Sequence, residues 1–357
     1  MEIRNPHPLV GQSKIQNLKS KIPKGHDVQN LAGLATLALV LALLPLTIQN
    51  NYILTILIFV AQFTILTIGL SLLMGYAGQI SLGQATFFGI GAYTTAILAT
   101  RFHVSPWLAF LAGVLLSAGI AYLVGGLIFR LHGHYLAMAT LGMNTILFLT
   151  LTQEVEWTGG PSGLRGIPDL SLGPLMFAGD TYYFYLFWFF ALLVIAASLN
   201  IVNSRVGRAM RALHASQVAA EALGIDTNAF KIKVFVLSAA YGGLAGGLHA
   251  AYLGFISPSS FGIGVSIELV VMAVVGGLAS VWGPLFGAGL VMMIEQYLRT
   301  AVKAIIPNAS GEQEIIAFGL ILMVIMIFLP EGLFTGLVKA GRRWYLRQWL
   351  LRPVQDR

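Results

Sequence analysis

Two glutamates stand out in a chain that has few carboxylates. Glu268 lies inside a long apolar stretch, and Glu221 lies in an alanine-rich segment between two such stretches. An ionised carboxylate inside a membrane-spanning helix costs about 2.5–3.5 kcal/mol on insertion scales, so it is retained where it faces a watery cavity or a polar partner. Glu268 is therefore a candidate for a transport pathway or its gate, with a structural hydrogen bond to a neighbouring helix as the alternative.

Two glycine-rich segments interrupt the apolar stretches and carry further candidates. The first runs over Gly75–Gln84 and the second over Gly276–Pro284. Paired interruptions in corresponding places indicate an inverted repeat around a central pathway. The residues predicted at the pathway or gate are Gly78, Gln79, Ser81, Gln84, Glu268, Gly276 and Gly277. For the polar side chains of the first segment, the alternative is that they satisfy freed backbone groups.

The motifs that would place a reaction in this chain are absent from its sequence. There is no His-Glu-x-x-His, no Gly-x-Ser-x-Gly and no pair of carboxylates within a span, which disfavours a membrane-embedded enzyme. There is no Gly-x-x-x-x-Gly-Lys-Ser/Thr phosphate loop, so ATP would have to be bound by another subunit. The histidines lack metal-ligand spacing and cysteine is absent, so we expect no metal and no cofactor in this chain.

The elements that position these residues must lie in a membrane, because the chain has too little charge to cover a soluble surface. Charged residues make up 10% of the sequence and hydrophobic residues 57%, whereas soluble domains carry about 25% charged residues. Glycine, at 40 of 357 residues, is typical of membrane helices that approach closely. The predicted fold class is an all-α polytopic membrane protein.

The number of crossings follows from the length that a spanning helix needs, about 20 mainly apolar residues. This criterion predicts ten spans, of which the third and eighth are short and glycine-rich. The predicted spans are Leu31–Ile48, Tyr52–Met74, Ala85–Thr100, Pro106–Phe129, Tyr135–Thr152, Tyr182–Val202, Ile232–Phe255, Val265–Val281, Pro284–Val302 and Ile315–Leu329.

The distribution of Lys and Arg predicts the orientation. With ten crossings and a cytoplasmic N terminus, 17 of the 21 basic residues lie on the inner side, as expected for cytoplasmic loops. The exceptions are Arg101, Arg165, Arg299 and Lys303. Both termini are therefore predicted to be cytoplasmic. Since the basic residues flank apolar segments, nucleic acid is not an expected partner. The predicted domains are a polar basic arm at 1–30, a permease domain at 31–333 and a basic tail at 334–357.

The inner loop at 203–231 is predicted to contain a short helix held between two spans. Ser216 is a suitable N-cap, Gly224 a natural C-terminal stop, and Asp226 can cap the span that follows. Small side chains on this helix would allow a cytoplasmic partner to dock closely, and an ordinary solvated loop helix is the alternative. The small-residue face is predicted to consist of Ala219, Ala220 and Ala222.

The largest outer loop, at 153–181, is acidic and rich in turn residues. Its stretch Thr158–Gly163 contains Gly-Gly-Pro and cannot be helical. The loop is either an ordinary surface loop or an external docking surface or gate cap. The candidate docking residues are Thr158, Gly159, Gly160 and Gly163.

Several of these segments resemble those of ABC importer permeases of the branched-chain and neutral amino-acid (LivM-type) family. Ala219–Ile225 is similar to the coupling loop of such permeases, with Gly224 three residues after Glu221. Together the similar stretches cover most of the chain from about Ile53 to Leu333, although the N-terminal arm is longer than expected for the family. The other similar stretches are Gly75–Gln84, Phe87–Tyr93, Thr158–Leu164, Ser266–Leu269 and Val275–Pro284.

The resemblance implies a permease subunit of an ATP-driven importer for branched-chain or other neutral amino acids in the bacterial cytoplasmic (inner) membrane. It also implies a second, different permease subunit, two ATPase subunits that carry ATP and Mg²⁺, and an external solute-binding protein. The residues that it assigns to the ATPase-coupling helix are Arg208, Arg211, Ala219, Ala220, Glu221, Ala222 and Gly224.

Two other transport functions stay open at this point. Closely related permeases carry urea or short-chain amides on the same fold. An ion-coupled secondary transporter or channel would need several paired intramembrane charges, whereas Glu268 is the only clear case. Glu295, within the predicted span Pro284–Val302, is interpreted as an interfacial residue.

Overall fold

Long apolar runs form helices throughout the part of the chain that can be described. The computed structural model describes residues 25–47, 50–172, 175–176 and 179–305, with short pieces between 318 and 336. The chain divides into two units, Met1–Thr47 and Ile48–Arg357. The first contributes helix α1 (Gly25–Thr47), which begins inside the predicted N-terminal arm. The rest of that arm, nearly all of the basic tail and most of the predicted tenth span lie outside the described residues.

The second unit follows the order of the predicted spans. Its helices are α2 (Asn51–Ser71), α3 (Gln84–Thr100), α4 (Pro106–Ile128), α5 (His134–Gln153), α6 (Val155–Thr158), α7 (Asp180–Asn203), α8 (Arg205–Ala215), α9 (Gln217–Ala222), α10 (Thr227–Leu253), α11 (Ile263–Gly276) and α12 (Gly283–Ile305). A π-helical turn at Leu72–Tyr76 continues α2, and 3₁₀ turns lie at Gly160–Ser162 and Pro258–Phe261. The prediction that Thr158–Gly163 cannot be helical is therefore wrong in part, since Thr158 ends α6 and Gly160–Ser162 forms a single 3₁₀ turn.

Six helices within the described residues are long and apolar enough to cross a membrane. They are Asn30–Thr47, Asn51–Tyr76, Pro106–Ile128, His134–Gln153, Asp180–Asn203 and Thr227–Leu253. Helices α3 and α11 contain 17 and 14 residues, which makes them about 26 Å and about 21 Å long, less than the hydrocarbon thickness of about 30 Å. These correspond to the third and eighth predicted spans, so the polytopic helical prediction is confirmed while the count of ten stays a prediction.

Helix ends coincide with residues that satisfy free backbone groups. The Asn50 side chain accepts a hydrogen bond from the Tyr52 N–H at the start of α2, and Asp226 accepts one from the Ala229 N–H at the start of α10, both at 3.0 Å. Pro106 occupies the first turn of α4, where its missing N–H costs nothing. Gly254, with φ of +63°, ends α10.

Two very short antiparallel strand pairs depart from the all-α prediction. Strand β1 (Leu164–Arg165) pairs with β4 (Phe255–Ile256), and β2 (Ser171–Leu172) pairs with β3 (Leu175–Met176). The β1–β4 pair joins the long loop after α5 to the segment after α10. It lies at the C-terminal end of α10, whereas α8 and α9 lie at the N-terminal end of that helix.

Helices α3, α4 and α10 form the most extensively packed part of the described chain. Glycines bring their backbones into direct contact: a Cβ at Gly91 of α3 would collide with the Gly243 carbonyl of α10. A Cβ at Gly113 of α4 would lie 2.8 Å from the Gly91 carbonyl. Close approach through glycine is a common way for membrane helices to pack. We call α3, α4 and α10 the three-helix block.

Candidate functional site

The loop between α7 and α10 folds into two consecutive helices, α8 and α9, which we call the α8–α9 element. The Ser204 hydroxyl accepts a hydrogen bond from the Val206 N–H at 3.1 Å and starts α8. The Arg211 guanidinium donates to the Val202 carbonyl at 3.0 Å and so ties α8 to the end of α7. Arg208, on the same helix, is exposed.

Helix α9 has the caps that its sequence predicts. The Ser216 hydroxyl accepts a hydrogen bond from the Ala219 N–H at 3.3 Å, and Gly224, with φ of +79°, reverses the chain after the helix. A helix of six residues is too short to be stable alone. Contacts with α8 and α10 must therefore hold α9 in place.

A chain of polar side chains supplies such contacts between α9 and the first turns of α10. The Gln217 amide donates to the Glu221 carboxylate at 2.9 Å, and the Thr227 hydroxyl donates to the same oxygen at 2.6 Å. The buried Lys231 ammonium group donates to the Gln217 carbonyl oxygen at 2.7 Å. The hydrogen bonds from Thr227 and Gln217 hold the pKa of the Glu221 carboxyl below its ordinary value. Glu221 is therefore ionised at neutral pH and fixes α9 to the start of α10.

The free surface of α9 is apolar. Val218 is 78% exposed and Leu223 79% exposed, and Ala219 and Ala222 are exposed beside them. The predicted face of three alanines is wrong for Ala220, which is only 1% exposed and points into the protein. Adjacent residues on a helix differ by about 100° in direction, so Ala219 and Ala220 cannot share a face.

The first glycine-rich segment contains the π-helical turn and a stretch without regular structure before α3. The Gln79 N–H donates to the Leu73 carbonyl at 2.9 Å, and Gly78 has φ of +68°. A Cβ at Gly78 would lie 3.0 Å from the His214 Nδ1 atom of α8. The α8–α9 element therefore touches the first glycine-rich segment as well as α10.

The polar side chains of this segment bind mainly to protein groups. Gln84 is 2% exposed, and its amide donates to the Leu66 carbonyl at 3.3 Å and to the Ser238 carbonyl at 3.1 Å. The Gln79 amide donates to the Ala77 carbonyl at 3.0 Å. Ser81 is buried and accepts a weak hydrogen bond from the Gly83 N–H at 3.4 Å. This geometry matches the alternative that these groups satisfy backbone, and their role toward a solute stays a prediction.

The second glycine-rich segment links α11 to α12 and lies against the first. The Ser71 hydroxyl donates to the Leu278 carbonyl at 2.6 Å, and a Cβ at Gly75 would collide with that same carbonyl. Gly277 has φ of +109°, and a Cβ at Gly276 would collide with the Gly283 carbonyl. The structure thus brings together two segments that lie about 200 residues apart in the sequence.

Glu268 lies on α11 and is half-buried. Two residues earlier, Ser266 is buried and accepts a hydrogen bond from the Ala85 N–H at 3.2 Å, which caps α3. Glu268 therefore lies on the helix that holds the start of α3. Its predicted place in a pathway or gate stays a prediction.

The candidate docking residues form the interior of their loop. The buried Thr158 hydroxyl donates to the Leu151 carbonyl at 2.7 Å and accepts from the Gly160 N–H at 3.2 Å. Gly159, Gly160 and Gly163 all have positive φ, and a Cβ at Gly163 would collide with the Ile256 carbonyl of β4. Because Thr158 and Gly160 are buried, a docking partner would meet their exposed neighbours Pro161 and Ser162 instead.

A cluster of buried aromatic and polar residues was missed by the sequence analysis. The Phe261 ring lies 4.9 Å from Phe88, 5.6 Å from Tyr93 and 6.1 Å from His249, between ring centroids. The Asn144 amide donates to the Phe261 carbonyl at 3.1 Å. We call these five residues the Phe261 cluster. Phe88 and Tyr93 lie in the stretch Phe87–Tyr93 that resembles the permease family, but Asn144, His249 and Phe261 have no motif around them.

Comparison with known proteins identifies a family, because a family model and two similar proteins carry the same description. The family model described as the branched-chain amino acid transport system permease component matches residues 52–330. LivM, the high-affinity branched-chain amino acid transport system permease protein of Salmonella typhimurium, is 31% identical over 297 residues, 76% of this chain and 67% of that protein. LivM of Escherichia coli is 32% identical over 294 residues, with the same coverage of both chains.

A second type of permease is also similar. LivH of Escherichia coli is 25% identical over 288 residues, which are 76% of this chain and 91% of that protein. No solved structure matches the chain significantly. The family match includes the α8–α9 element, both glycine-rich segments and the Phe261 cluster. The chain, a multi-pass protein of the inner membrane, therefore belongs to the family of branched-chain amino acid transport system permease components.

Proposed function

We propose that this chain is the transmembrane permease subunit of an ATP-driven importer of branched-chain or other neutral amino acids. Its family membership and the names of its relatives support the class of transporter and the class of cargo. The observation that carries the proposal is the α8–α9 element, which is fixed to two spans and presents exposed Val218 and Leu223 on its free side.

The partners in this proposal are a second permease subunit, two ATPase subunits and an external solute-binding protein. The chain lacks a phosphate loop, so ATP and Mg²⁺ bind to the ATPase subunits. The similarity to both LivM and LivH supports a pair of related permeases around one pathway.

The proposed topology has ten crossings, cytoplasmic termini and an inverted repeat. It retains the arm at 1–30, the permease domain at 31–333 with its coupling loop at 203–231, and the tail at 334–357. The contact between the two glycine-rich segments supports the repeat, since each of them joins two helices near the same place.

The mechanism that we propose is alternating access driven from the cytoplasmic side. ATP binding moves the ATPase subunits, which displace the α8–α9 element through the apolar surface of α9. The displacement reaches α10 through Glu221 and the first glycine-rich segment through His214. It then passes to the second glycine-rich segment through Leu278. The spans rock, and a neutral zwitterion released by the binding protein moves inward.

Uptake by a strain that lacks this chain tests the cargo. Restoring the chain is expected to restore uptake of labelled leucine, with labelled proline and urea measured in parallel. Restored uptake of urea without leucine would move the assignment to the amide-carrying permeases. Leucine uptake by the chain without any ATPase subunit would contradict the ATP-driven mechanism.

The variant Gly224→Trp tests the coupling. The space around Gly224 is open, so the ring has room there, and the new bulk obstructs the docking side of α9. The φ of +79° strains any side chain at this position, so the control must carry the same strain. Leucine uptake is expected to fall at least tenfold while ATP hydrolysis and the amount of subunit in the membrane persist. Gly179→Trp is the matched control, because Gly179 also has positive φ and open space around it. Gly179 precedes α7, at the end of that helix opposite to the α8–α9 element. Equal uptake in the two variants would contradict the assignment.

A further inference from the structure

Three side chains of the Phe261 cluster hold polar atoms that lack hydrogen-bond partners among the described residues. These atoms are His249 Nε2, Asn144 Oδ1 and the Tyr93 hydroxyl. The three residues are 6%, 0% and 3% exposed, so water does not reach them freely. Burying such atoms without partners destabilises a fold, and their concentration around one phenylalanine calls for an explanation.

The hydrogen bonds that these side chains do make fix what the free atoms can offer. The second nitrogen of His249, Nδ1, lies 2.9 Å from the Gln62 carbonyl oxygen, which can only accept, so Nδ1 carries the proton. The Nε2 atom of the neutral ring is then a bare acceptor. Asn144 uses its amide nitrogen on the Phe261 carbonyl, which leaves its oxygen as a second bare acceptor. The Tyr93 hydroxyl can also accept.

We propose that His249, Asn144 and Tyr93 form a contact site for the ammonium group of a small apolar amino acid, and that Phe261 is its removable cover. An ammonium group has three N–H donors, which matches the three acceptors. The ring of Phe88, which stays when the cover leaves, suits both an apolar side chain and a nearby cation. The cargo class rests on the proposed function, whereas the site itself rests on the buried acceptors.

The connections of Phe261 make it able to move while two members of the site, Tyr93 and His249, stay in place. Asn144 lies on α5 and donates to the Phe261 carbonyl, so this hydrogen bond breaks or moves with the cover. Phe261 ends the 3₁₀ turn Pro258–Phe261, which follows β4, and β4 is held to the long loop by the β1–β4 pair of only two residues per strand. A displacement of that loop therefore reaches Phe261 directly. In contrast, Tyr93 and His249 lie on α3 and α10, which belong to the three-helix block.

The absence of cysteine from the chain makes the cover directly testable. The complete transporter with Tyr93→Cys is reconstituted in vesicles with its binding protein outside, and treated from outside with a methanethiosulfonate reagent that bears a trimethylammonium group. The labelling rate is expected to rise at least tenfold during ATP-driven leucine transport. With the added change Phe261→Ala, the same rise is expected without ATP. Excess leucine is expected to slow labelling of this double variant, because the bound amino acid shields position 93. No rise under either condition overturns the proposal.

A matched cysteine separates removal of the cover from general loosening. Ser198 is fully buried on α7, a helix that contributes no residue to the cluster, and its hydroxyl lies 3.1 Å from the Tyr241 hydroxyl. The rise is expected at Tyr93→Cys and not at Ser198→Cys in the same Phe261→Ala background. Phe235→Ala, which removes an equally buried ring elsewhere, is expected to leave labelling at position 93 unchanged. An equal rise at both cysteines, or with Phe235→Ala, counts against the cover.

Tyr93→Phe provides a test that does not depend on a cavity-forming substitution. It removes only a hydroxyl that has no partner in the described part of the chain, so a purely structural tyrosine predicts unchanged assembly and unchanged uptake. The contact site predicts normal assembly with leucine uptake reduced about fivefold. Normal uptake would overturn the role of the hydroxyl. If the unmodified transporter does not carry leucine and the rise in labelling is still confined to Tyr93→Cys, the cargo is wrong and the cover stands. If the transporter carries leucine and labelling does not rise, this proposal is overturned and the proposed function stands.

Discussion

The Glu221 carboxylate accepts hydrogen bonds from Thr227 and Gln217 on one oxygen, and this pair lowers its pKa below the ordinary 4.5. A group whose pKa is lower in the folded state contributes stability above its unfolded pKa and loses it as the pH falls through the folded pKa. The joint between α9 and α10 should therefore be intact at every physiological pH. The hydrogen bonds of this joint are therefore expected to be lost only in acid, and not near neutral pH.

The pH dependence of coupling is the first prediction. The number of leucine molecules carried per ATP hydrolysed, measured in vesicles over an inner pH of about 8 to about 5, is expected to stay constant for the unmodified transporter, because Glu221 remains ionised throughout. Glu221→Gln is expected to lower the ratio several-fold at every pH in this range. Glu154→Gln, an exposed carboxylate at the far end of α5, serves as the control. A ratio that collapses near pH 6 in the unmodified protein would contradict the role given to these hydrogen bonds.

At the scale of the elements, the contact between the two glycine-rich segments depends on missing side chains. The variant Gly75→Ala would drive a Cβ into the Leu278 carbonyl, and overpacking of this kind costs about 1–3 kcal/mol. Gly119→Ala, on an exposed face of α4 with open space, should be neutral or stabilise the helix by about 0.5–1 kcal/mol. Thermal unfolding of the purified transporter in detergent compares the two. A Gly75→Ala protein as stable as Gly119→Ala would mean that the two segments do not touch.

Hydropathy and local caps made part of this architecture predictable. The predicted sixth and seventh spans coincide closely with α7 and α10, because their length and apolar composition are local properties. Ser216, Gly224 and Asp226 were predictable for the same reason, since each acts on its neighbours in sequence.

Other features depend on residues that are distant in the chain. The sequence around Leu164 does not predict its pairing with Ile256, and the sequence around Gly75 does not predict its contact with Leu278. The inward direction of Ala220 also escaped the sequence, because a six-residue helix is too short for its pattern to define a buried face. The Phe261 cluster was missed because its acceptors come from α3, α5 and α10, which only the folded chain brings together.

At the scale of the whole molecule, the proposed orientation makes opposite predictions for the two ends. Val218 of α9 and Ser162 of the long loop are both exposed, at opposite ends of α10. In intact cells, an impermeant thiol reagent is expected to label Ser162→Cys at once and Val218→Cys only after the membrane is permeabilised. The reverse order would mean that the predicted membrane orientation is wrong and that the α8–α9 element lies on the side opposite to a cytoplasmic ATPase.

The glycine contacts within the three-helix block limit how this protein can rearrange. Because Gly91 and Gly243 let the main chains of α3 and α10 approach closely, and Gly113 does the same for α4, these helices are expected to move together. A transport pathway is then expected to open at the outer surface of the three-helix block, with the block rotating as one rigid body against the neighbouring helices. A small inhibitor that binds between the three-helix block and its neighbours is expected to stop the transport cycle, whereas the closely packed interior of the block has no room for one.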